Sequence, residues 1–297
     1  MKKNNLFMSY EIIDKQVLNY ITRYINPFSS RAIIMDSNSD FDLLNDNSHR
    51  LIINLADINT IESVNLYFEN VSNRLTNNGI FVGVFKTDGK ISLTEVLGRL
   101  VFAGYNVMDY SVINGRTCFI ATKKSIKHDG QPVNGIFIKL KRLGKDGKTI
   151  DVYKLRTMYP YSEFLQEYIY KKNKLDTSGK FKNDFRVTKI GKFMRKFWID
   201  ELPMLFNILK GDLKLVGVRP LSFHYFSLYD NELQRMRLMV KPGLLPPFYA
   251  DMPKSLEEIM ESEKKYLTSY INNPRKTDIR YFFKILHNIL NKKARSG

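Results

Sequence analysis

Apolar residues in the first 122 positions fall partly into short unbroken runs and partly into stretches spaced by three and four. Ile13, Val17, Tyr20, Ile21 and Tyr24 share one face, which predicts an amphipathic helix over Tyr10 to Tyr24. Ala32-Ile33-Ile34-Met35 and Leu51-Ile52-Ile53-Asn54-Leu55 read as buried strands, the first ending in the polar loop Asp36 to Asn47. Ser63 to Leu75 is a second helix, Asn77-Asn78-Gly79 a turn and Ile80 to Phe85 a third strand. Leu93 to Ala103 is a third helix with Gly104 past its end. Tyr105 to Tyr110 and Thr117 to Thr122 close the series as strands split by an Asn114-Gly115 turn. Strand alternating with helix predicts an α/β layer on a mostly parallel sheet.

The pattern changes after residue 133. Ile136, Ile138 and Leu140 alternate with polar neighbours, Arg142 to Lys148 supplies a turn, and Ile150 to Leu155 returns, which makes a hairpin. Tyr161 to Tyr170 reads as a helix, followed to Asn183 by a lysine-rich loop that suits either a lid over an anionic substrate or a solvated connection. From Ile190, the residues Ile190, Phe193, Met194, Phe197 and Trp198 recur at helical spacing with Lys189, Lys192, Arg195 and Lys196 between them. That helix is either core-packed with a basic edge or interfacial, with apolar residues to sink into a membrane and cations to meet its headgroups. Asp200-Glu201 and Leu202-Pro203 follow, then a second apolar run, Met204 to Leu209, which stops at Gly211. Near the end, Ser255 to Asn272 and Thr277 to Asn291 are helices before the basic tail KKARSG. The stripe Tyr281, Phe282, Ile285, Leu286 and Ile289 means core or partner contact. The polar stretch KKSIKHDGQPV, residues 123–133, is the expected linker between an α/β domain (1–122) and a second domain (134–297).

Charge sharpens that division. Residues 1–122 hold 11 Lys/Arg against 12 Asp/Glu, and residues 134–224 hold 20 against 9, so the second domain is the one that meets an anion. Nucleic acid, an anionic membrane surface and a sugar nucleotide all satisfy that electrostatics, and no nucleic-acid module is recognisable, so no nucleic-acid partner is expected. The single cysteine, Cys118, excludes an intramolecular disulfide and suits a reducing compartment. No run of eighteen apolar residues and no signal-peptide core is present, so a cytoplasmic protein that does not span a bilayer is expected. In the first domain the earliest glycine is Gly79. A phosphate-binding loop after the first strand would need one there, so no cofactor is expected, and Asp36 and Asp57 are read as turn and cap residues.

The densest chemistry lies between Asp184 and Pro220. Asp200 and Glu201 sit at a helix junction, where an Asp ahead of Pro203 is ordinary capping. Capping does not account for Lys154, Arg156, Arg186, Arg195 and Arg219 in the same region. Guanidinium groups match phosphate oxygens, so these five are candidate phosphate ligands, with ion pairs to Asp184, Asp212 or the dyad itself as the structural alternative. His224, among Phe223, Tyr225 and Phe226, is either a general base or a packed member of an aromatic cluster.

KLRTM (Lys154 to Met158), DFRVTKIGKFMRK (Asp184 to Lys196), IDELPMLFNILKGDLKLVGVRP (Ile199 to Pro220) and KPGL (Lys241 to Leu244) together resemble the ordered motifs of the bacterial sugar transferase family, the monotopic polyprenyl-phosphate phosphoglycosyl transferases. The resemblance spans residues 134–250. It implies an α+β phosphoglycosyl-transferase-like domain rich in amphipathic helices, here preceded by a Rossmann-like partial α/β domain. That first domain is itself similar to the later half of a nucleotide-binding or methyltransferase-like domain. The resemblance implies that Asp200 attacks the sugar-side phosphate of a nucleotide sugar, a UDP-sugar, and that Glu201 is a ligand of Mg²⁺. A polyprenyl phosphate then takes the phospho-sugar, at the inner face of the cell membrane, reached through an anionic membrane surface or a membrane-bound partner. Two departures stand out. Nothing like the family's re-entrant hairpin lies between Thr122 and Asn134, and Leu245-Pro246-Pro247 replaces part of the family's usual ending. These departures keep open an inactive paralogue that binds sugar nucleotide or docks a partner as a scaffold.

Overall fold

A computed structural model describes residues 13–27, 32–35, 47–124, 130–133, 135–173 and 183–291. The chain is mixed α/β and divides into two compact units, Met1–Pro132 with Tyr159–Lys172, and Val133–Met158 with Asn173–Gly297.

The first unit begins with α1 (Lys15–Ile21), β1 (Ala32–Met35), β2 (His49–Asp57), α2 (Val64–Arg74), β3 (Leu75–Lys86), α3 (Leu93–Phe102), β4 (Tyr105–Ile113) and β5 (Arg116–Lys123). Helix α1 is shorter than its apolar period predicts, because the Asp14 carboxylate accepts from the amides of Gln16 and Val17 and starts the helix there. The strands form one sheet in the order β1-β2-β3-β5-β4. The sheet is mixed, which corrects the mostly parallel expectation: β1, β2 and β3 pair in parallel, while β5 runs antiparallel to both β3 and β4. The cause is local. Asn114 and Gly115 both take positive φ, 50° and 76°, so a two-residue turn folds β5 straight back along β4. Cys118 to Ala121 of β5 are buried throughout, which suits the interior place beside β3, whereas β4 keeps Met108 and Val112 exposed at the edge. The expected Asn77–Gly79 turn is instead an irregularity at the start of β3, where the register shifts between Leu75 and Ile80 and Asn78 has φ 59°.

Phe68, Phe81, Phe119 and Tyr105 pack with ring centroids 5.3–6.3 Å apart at the centre of this unit, and full burial of each such ring contributes roughly 1.5–3 kcal/mol. Asp57 caps the turn Ile58–Thr60 by accepting from the Asn59 amide; Asp36 lies outside the described residues. The segment Tyr159–Lys172, expected in the second domain, belongs here: Asn65 donates to the Tyr161 hydroxyl at 2.7 Å, Arg99 lies 4.3 Å over its ring, and Phe102 meets both Tyr161 and Phe164. It runs as a 3-10 turn into α4 (Gln166–Asn173). The rest of the lysine-rich loop, 174–182, and the tail KKARSG (292–297) lie outside the described residues.

The second unit is built on a hairpin, β6 (Phe137–Leu143) and β7 (Thr149–Leu155), paired from Phe137–Leu155 to Leu143–Thr149. Helices α5 (Lys189–Lys196) and α6 (Met204–Leu209) follow, then β8 (Lys214–Val216), α7 (Phe223–Ser227), α8 (Asn231–Leu238), β9 (Gly243–Leu245), α9 (Phe248–Asp251), α10 (Leu256–Asn272) and α11 (Pro274–Leu290). Strands β8 and β9 pair in parallel so closely that a Cβ on Gly243 would lie 2.2 Å from the Gly217 amide nitrogen; only glycine permits the approach. The core joins Val216, Val218 and Leu221 to Tyr266, Leu267, Tyr281 and Ile285 of the last two helices, so the C-terminal stripe is core at Tyr281 and Ile285 and exposed at Leu286.

Candidate functional site

Two local devices set up the carboxylate pair. Thr188 caps α5 by accepting from the Gly191 amide at 2.8 Å, and its own amide donates to the Thr157 carbonyl. A Cβ on Gly191 would sit 2.0 Å from that carbonyl, so this glycine lets α5 lie against the chain at Thr157. At the other end of α5, Trp198 takes φ 56°, a rare conformation for so bulky a residue, and turns the chain into the 3-10 turn Ile199–Glu201 that carries the dyad. Its indole donates to the Tyr249 hydroxyl at 3.0 Å, which holds that turn to α9.

Helix α6 is fastened to the hairpin by Asn207, which is fully buried. Its Oδ1 accepts from the Tyr153 amide at 3.0 Å and its Nδ2 donates to the Asp151 carbonyl at 2.6 Å. This welds β7 beside the dyad, and Lys154, the next residue on β7, donates to Glu201 Oε1 at 2.6 Å. A polar residue inside the run Met204–Leu209 is the sequence signal for Asn207; Thr157 lies in the KLRTM motif and Trp198 in the apolar stripe, neither of which marks its contact here, and Tyr249 carries no signal.

Asp200 exposes 7% of its surface, and its Oδ1 has no hydrogen-bond partner among the described residues. Burial raises its pKa, Lys154 and Arg195 act to lower it, and the neighbouring Glu201 adds to the rise. Arg195 donates through Nε to Thr157 Oγ1 at 2.9 Å, and burial lowers its pKa while Asp200 and Asp184 counter that. Lys154 is likewise lowered by burial and raised by Glu201. The result is a buried carboxylate oxygen with a lone pair unused, in the field of two half-buried cations.

The remaining predicted ligands divide. Arg219 is exposed, makes no hydrogen bond or ion pair through its guanidinium among the described residues, and acts on both Lys154 and Arg195. Arg186 is buried and pairs in bidentate fashion with Asp184, Nε to Oδ1 at 2.9 Å and Nη2 to Oδ2 at 2.7 Å. Asp184 in turn lies in the field of Arg195, so Arg186 borders the site with its fork engaged. Arg156 is drawn away: its guanidinium donates to the carbonyls of Gly135 and Val133, satisfying the strand entry ahead of β6. His224 is exposed on α7 rather than buried in an aromatic cluster, and among the described residues no hydrogen bond or ion pair joins its side chain to the dyad.

Beside Glu201 lies a cavity of about 170 Å³, lined otherwise by Trp198, Leu202, Leu205, Leu244, Leu245 and Ile289. Around it the surface is apolar. The stripe on α5 faces outward, which excludes the core-packed alternative: Ile190, Phe193 and Phe197 are exposed between exposed Lys189, Lys192 and Lys196. Leu202, Leu205, Phe206 and Leu209 are exposed as well, Leu209 by 83%. Among the described residues, no helix is long and apolar enough to cross a membrane.

The galactosyl transferase CpsE of Streptococcus agalactiae is 41% identical over 120 residues, covering 40% of this chain and 26% of its own length. The undecaprenyl-phosphate galactose phosphotransferase of Salmonella typhimurium is 41% identical over 108 residues, 35% of this chain and 22% of its own. The UDP-glucose:undecaprenyl-phosphate glucose-1-phosphate transferase of Klebsiella pneumoniae is 39% identical over 105 residues, 35% of this chain and 20% of its own. The chain thus spans about a fifth to a quarter of the length of these relatives. The bacterial sugar transferase family matches residues 111–292, wider at both ends than the motifs alone, and with the dyad and its cations inside that span the chain belongs to the bacterial sugar transferase family.

Proposed function

We propose that the chain transfers a sugar-1-phosphate from a nucleotide sugar to a polyprenyl phosphate through an intermediate on Asp200, in the synthesis of a surface polysaccharide or glycoconjugate. A UDP-sugar donor and an undecaprenyl-type acceptor follow the names of the relatives. The observation that carries the reading is the Asp200 Oδ1, buried, without a hydrogen-bond partner among the described residues and in the field of Lys154 and Arg195. A structural cap would use that oxygen on a backbone amide; a nucleophile needs it free.

In the first half-reaction the oxygen forms a bond to the sugar-side phosphorus. The bond from that phosphorus to the bridging oxygen breaks, and the nucleoside monophosphate leaves with the electron pair. Arg195 and Lys154 hold the negative charge of the equatorial oxygens, and the exposed Arg219 grips the departing phosphate. In the second, a phosphate oxygen of the lipid attacks the same phosphorus and returns the carboxylate to Asp200. The Glu201 carboxylate, engaged by Lys154 through Oε1, fits Mg²⁺, which takes few protein carboxylates together with phosphate oxygens. Glu201 would hold it, and when bound it would supply further charge neutralisation at the phosphates. The exposed Phe193, Phe197, Leu205 and Leu209 with the flanking lysines support docking on an anionic membrane surface.

One observation favours the second reading, an inactive scaffold: Asp200 is 93% covered and Arg156 and Arg186 are committed to structural partners. Release of nucleoside monophosphate decides between them. The purified chain with Mg²⁺ and UDP-galactose, UDP-glucose or UDP-N-acetylgalactosamine is expected to release UMP from at least one donor, and not in Asp200→Asn. No UMP from any of them, with or without polyprenyl phosphate, would leave the scaffold.

A further inference from the structure

Away from the dyad, Arg237 on α8 and Glu263 on α10 form an ion pair at 6% and 1% exposure, Nη1 of the arginine donating to Oε2 of the glutamate. Two charges taken out of water commonly cost as much as their attraction returns, and an apolar pair of similar volume joins two helices at least as well. Packing alone therefore does not call for this pair. What it does that an apolar pair cannot is reach a third group: Nη2 of Arg237 donates to the Arg219 carbonyl. The guanidinium carbon lies 5.2 Å from the centre of the buried Tyr229 ring, which fixes the fork from one face.

Arg219 sits in a stretch fastened carbonyl by carbonyl. The Val218 carbonyl accepts from the Gly243 amide at 2.9 Å and the Leu221 carbonyl from the Leu143 amide at 3.0 Å. Between them, Pro220 has no N–H to give and restricts the backbone of the residue before it. The Arg219–Pro220 peptide is held by Arg237 through its oxygen. Charge supplies a second reason for the pair. Glu263 lies in the field of Arg219 as well as of Arg237. Opposite Arg237 its carboxylate is neutralised where it stands; without Arg237 it would be a buried anion drawing the Arg219 guanidinium inward, away from the exposed side on which a phosphate arrives.

We infer that Arg237 and Glu263 are positioning residues for the nucleotide half of the reaction, the pair fixing the Arg219 carbonyl and so aiming the exposed Arg219 guanidinium at the departing phosphate. The inference rests on the proposed role of Arg219.

Titration of the full chain with UMP and Mg²⁺, followed by calorimetry, tests it, because a loss of folded protein lowers the number of sites and not the affinity at them. Arg219→Ala is expected to weaken UMP binding about tenfold. Arg237→Met with Glu263→Leu is expected to keep or raise the melting temperature and still weaken UMP binding about fivefold or more. Adding Arg219→Ala to that pair is expected to cost less than about twofold further, since the effect runs through the same side chain. Should the apolar pair fail to fold, Arg237→Lys is the second test. It keeps a charge opposite Glu263 but lacks the fork that bridges two acceptors, and is expected to weaken binding severalfold, again without adding to Arg219→Ala. UMP affinity unchanged in the folded variants, or losses that multiply with that of Arg219→Ala, would overturn the inference while leaving Arg219 its role. No UMP binding by the wild-type chain, or binding that Arg219→Ala leaves untouched, would remove Arg219 from the phosphate and the inference with it.

Discussion

Asp109 and Asp200 are the same residue type put to opposite uses in the two units. On β4, Asp109 accepts from the Tyr24 hydroxyl at 2.7 Å and from Lys172 at 3.3 Å; burial pushes its pKa up, but those partners outweigh it and the pKa ends lowered. On the 3-10 turn, Asp200 is buried with one oxygen unpartnered, and burial outweighs Lys154 and Arg195 so that its pKa ends raised. The surfaces differ in parallel. Among the described residues the first unit exposes four large apolar side chains and the second twenty-one. The first unit engages its Asp109 carboxylate internally, and the second leaves a buried carboxylate oxygen without a partner among the described residues and a broad apolar face exposed.

Substitution at the two aspartates should break the comparison most sharply. Asp200→Asn is expected to reduce UMP release by ~10³-fold or more, while Asp109→Asn leaves it within about twofold; an equal loss in both would show that Asp200 acts through structure. Next in size is the apolar face. Phe193→Asp with Leu209→Asp is expected to weaken binding to anionic vesicles by about tenfold or more, read by co-flotation, whereas Leu66→Asp and Val112→Asp on the first unit have no effect. Gly191→Ala should cost about 1–3 kcal/mol in denaturant unfolding, because the new methyl meets the Thr157 carbonyl, and activity should fall with it through the Arg195–Thr157 contact.

The smallest effect is the most telling in sign. Asp200 has a raised pKa, so its ionised form is the costly one: the cost is absent below the ordinary carboxylate range and develops as pH rises through the raised value. Asp200→Asn should therefore increase the melting temperature near neutral pH by ~2–4 °C, about 1 kcal/mol, and the gain should vanish in acid. Asp109 has a lowered pKa and contributes stability that is lost as pH falls through it, so Asp109→Asn should lower the melting temperature by a comparable amount, again fading in acid. Thermal melts from neutral pH into acid check both signs.

Punctuation made the dyad's setting legible before any coordinates: Pro203 and Gly211 bracket α6, and the spacing of Ile190, Phe193 and Phe197 marks α5. Periodicity says which residues share a face; it says nothing of whether another element covers that face, so the outward aim of the α5 stripe emerged only from tertiary structure. The same limit applies to the cations. Lys154 and Arg156 are two apart on or just after β7, the spacing that puts both on one side of a strand, yet Arg156 is claimed by the carbonyls of Val133 and Gly135, which sequence spacing does not reveal. In the first unit the elements were readable from runs and turns, while the insertion of β5 between β3 and β4 depends on which strand best bears burial on both faces.

The central claim is a covalent bond from Asp200 to phosphorus. Mass spectrometry of the chain, acid-quenched after mixing with an accepted nucleotide sugar and Mg²⁺ but no lipid, tests it most directly. The account predicts one added sugar phosphate, mapped to the peptide that contains Asp200 and discharged by polyprenyl phosphate. Unmodified protein from a preparation that forms the lipid-linked product at full rate once polyprenyl phosphate is added would mean direct transfer, and would contradict it.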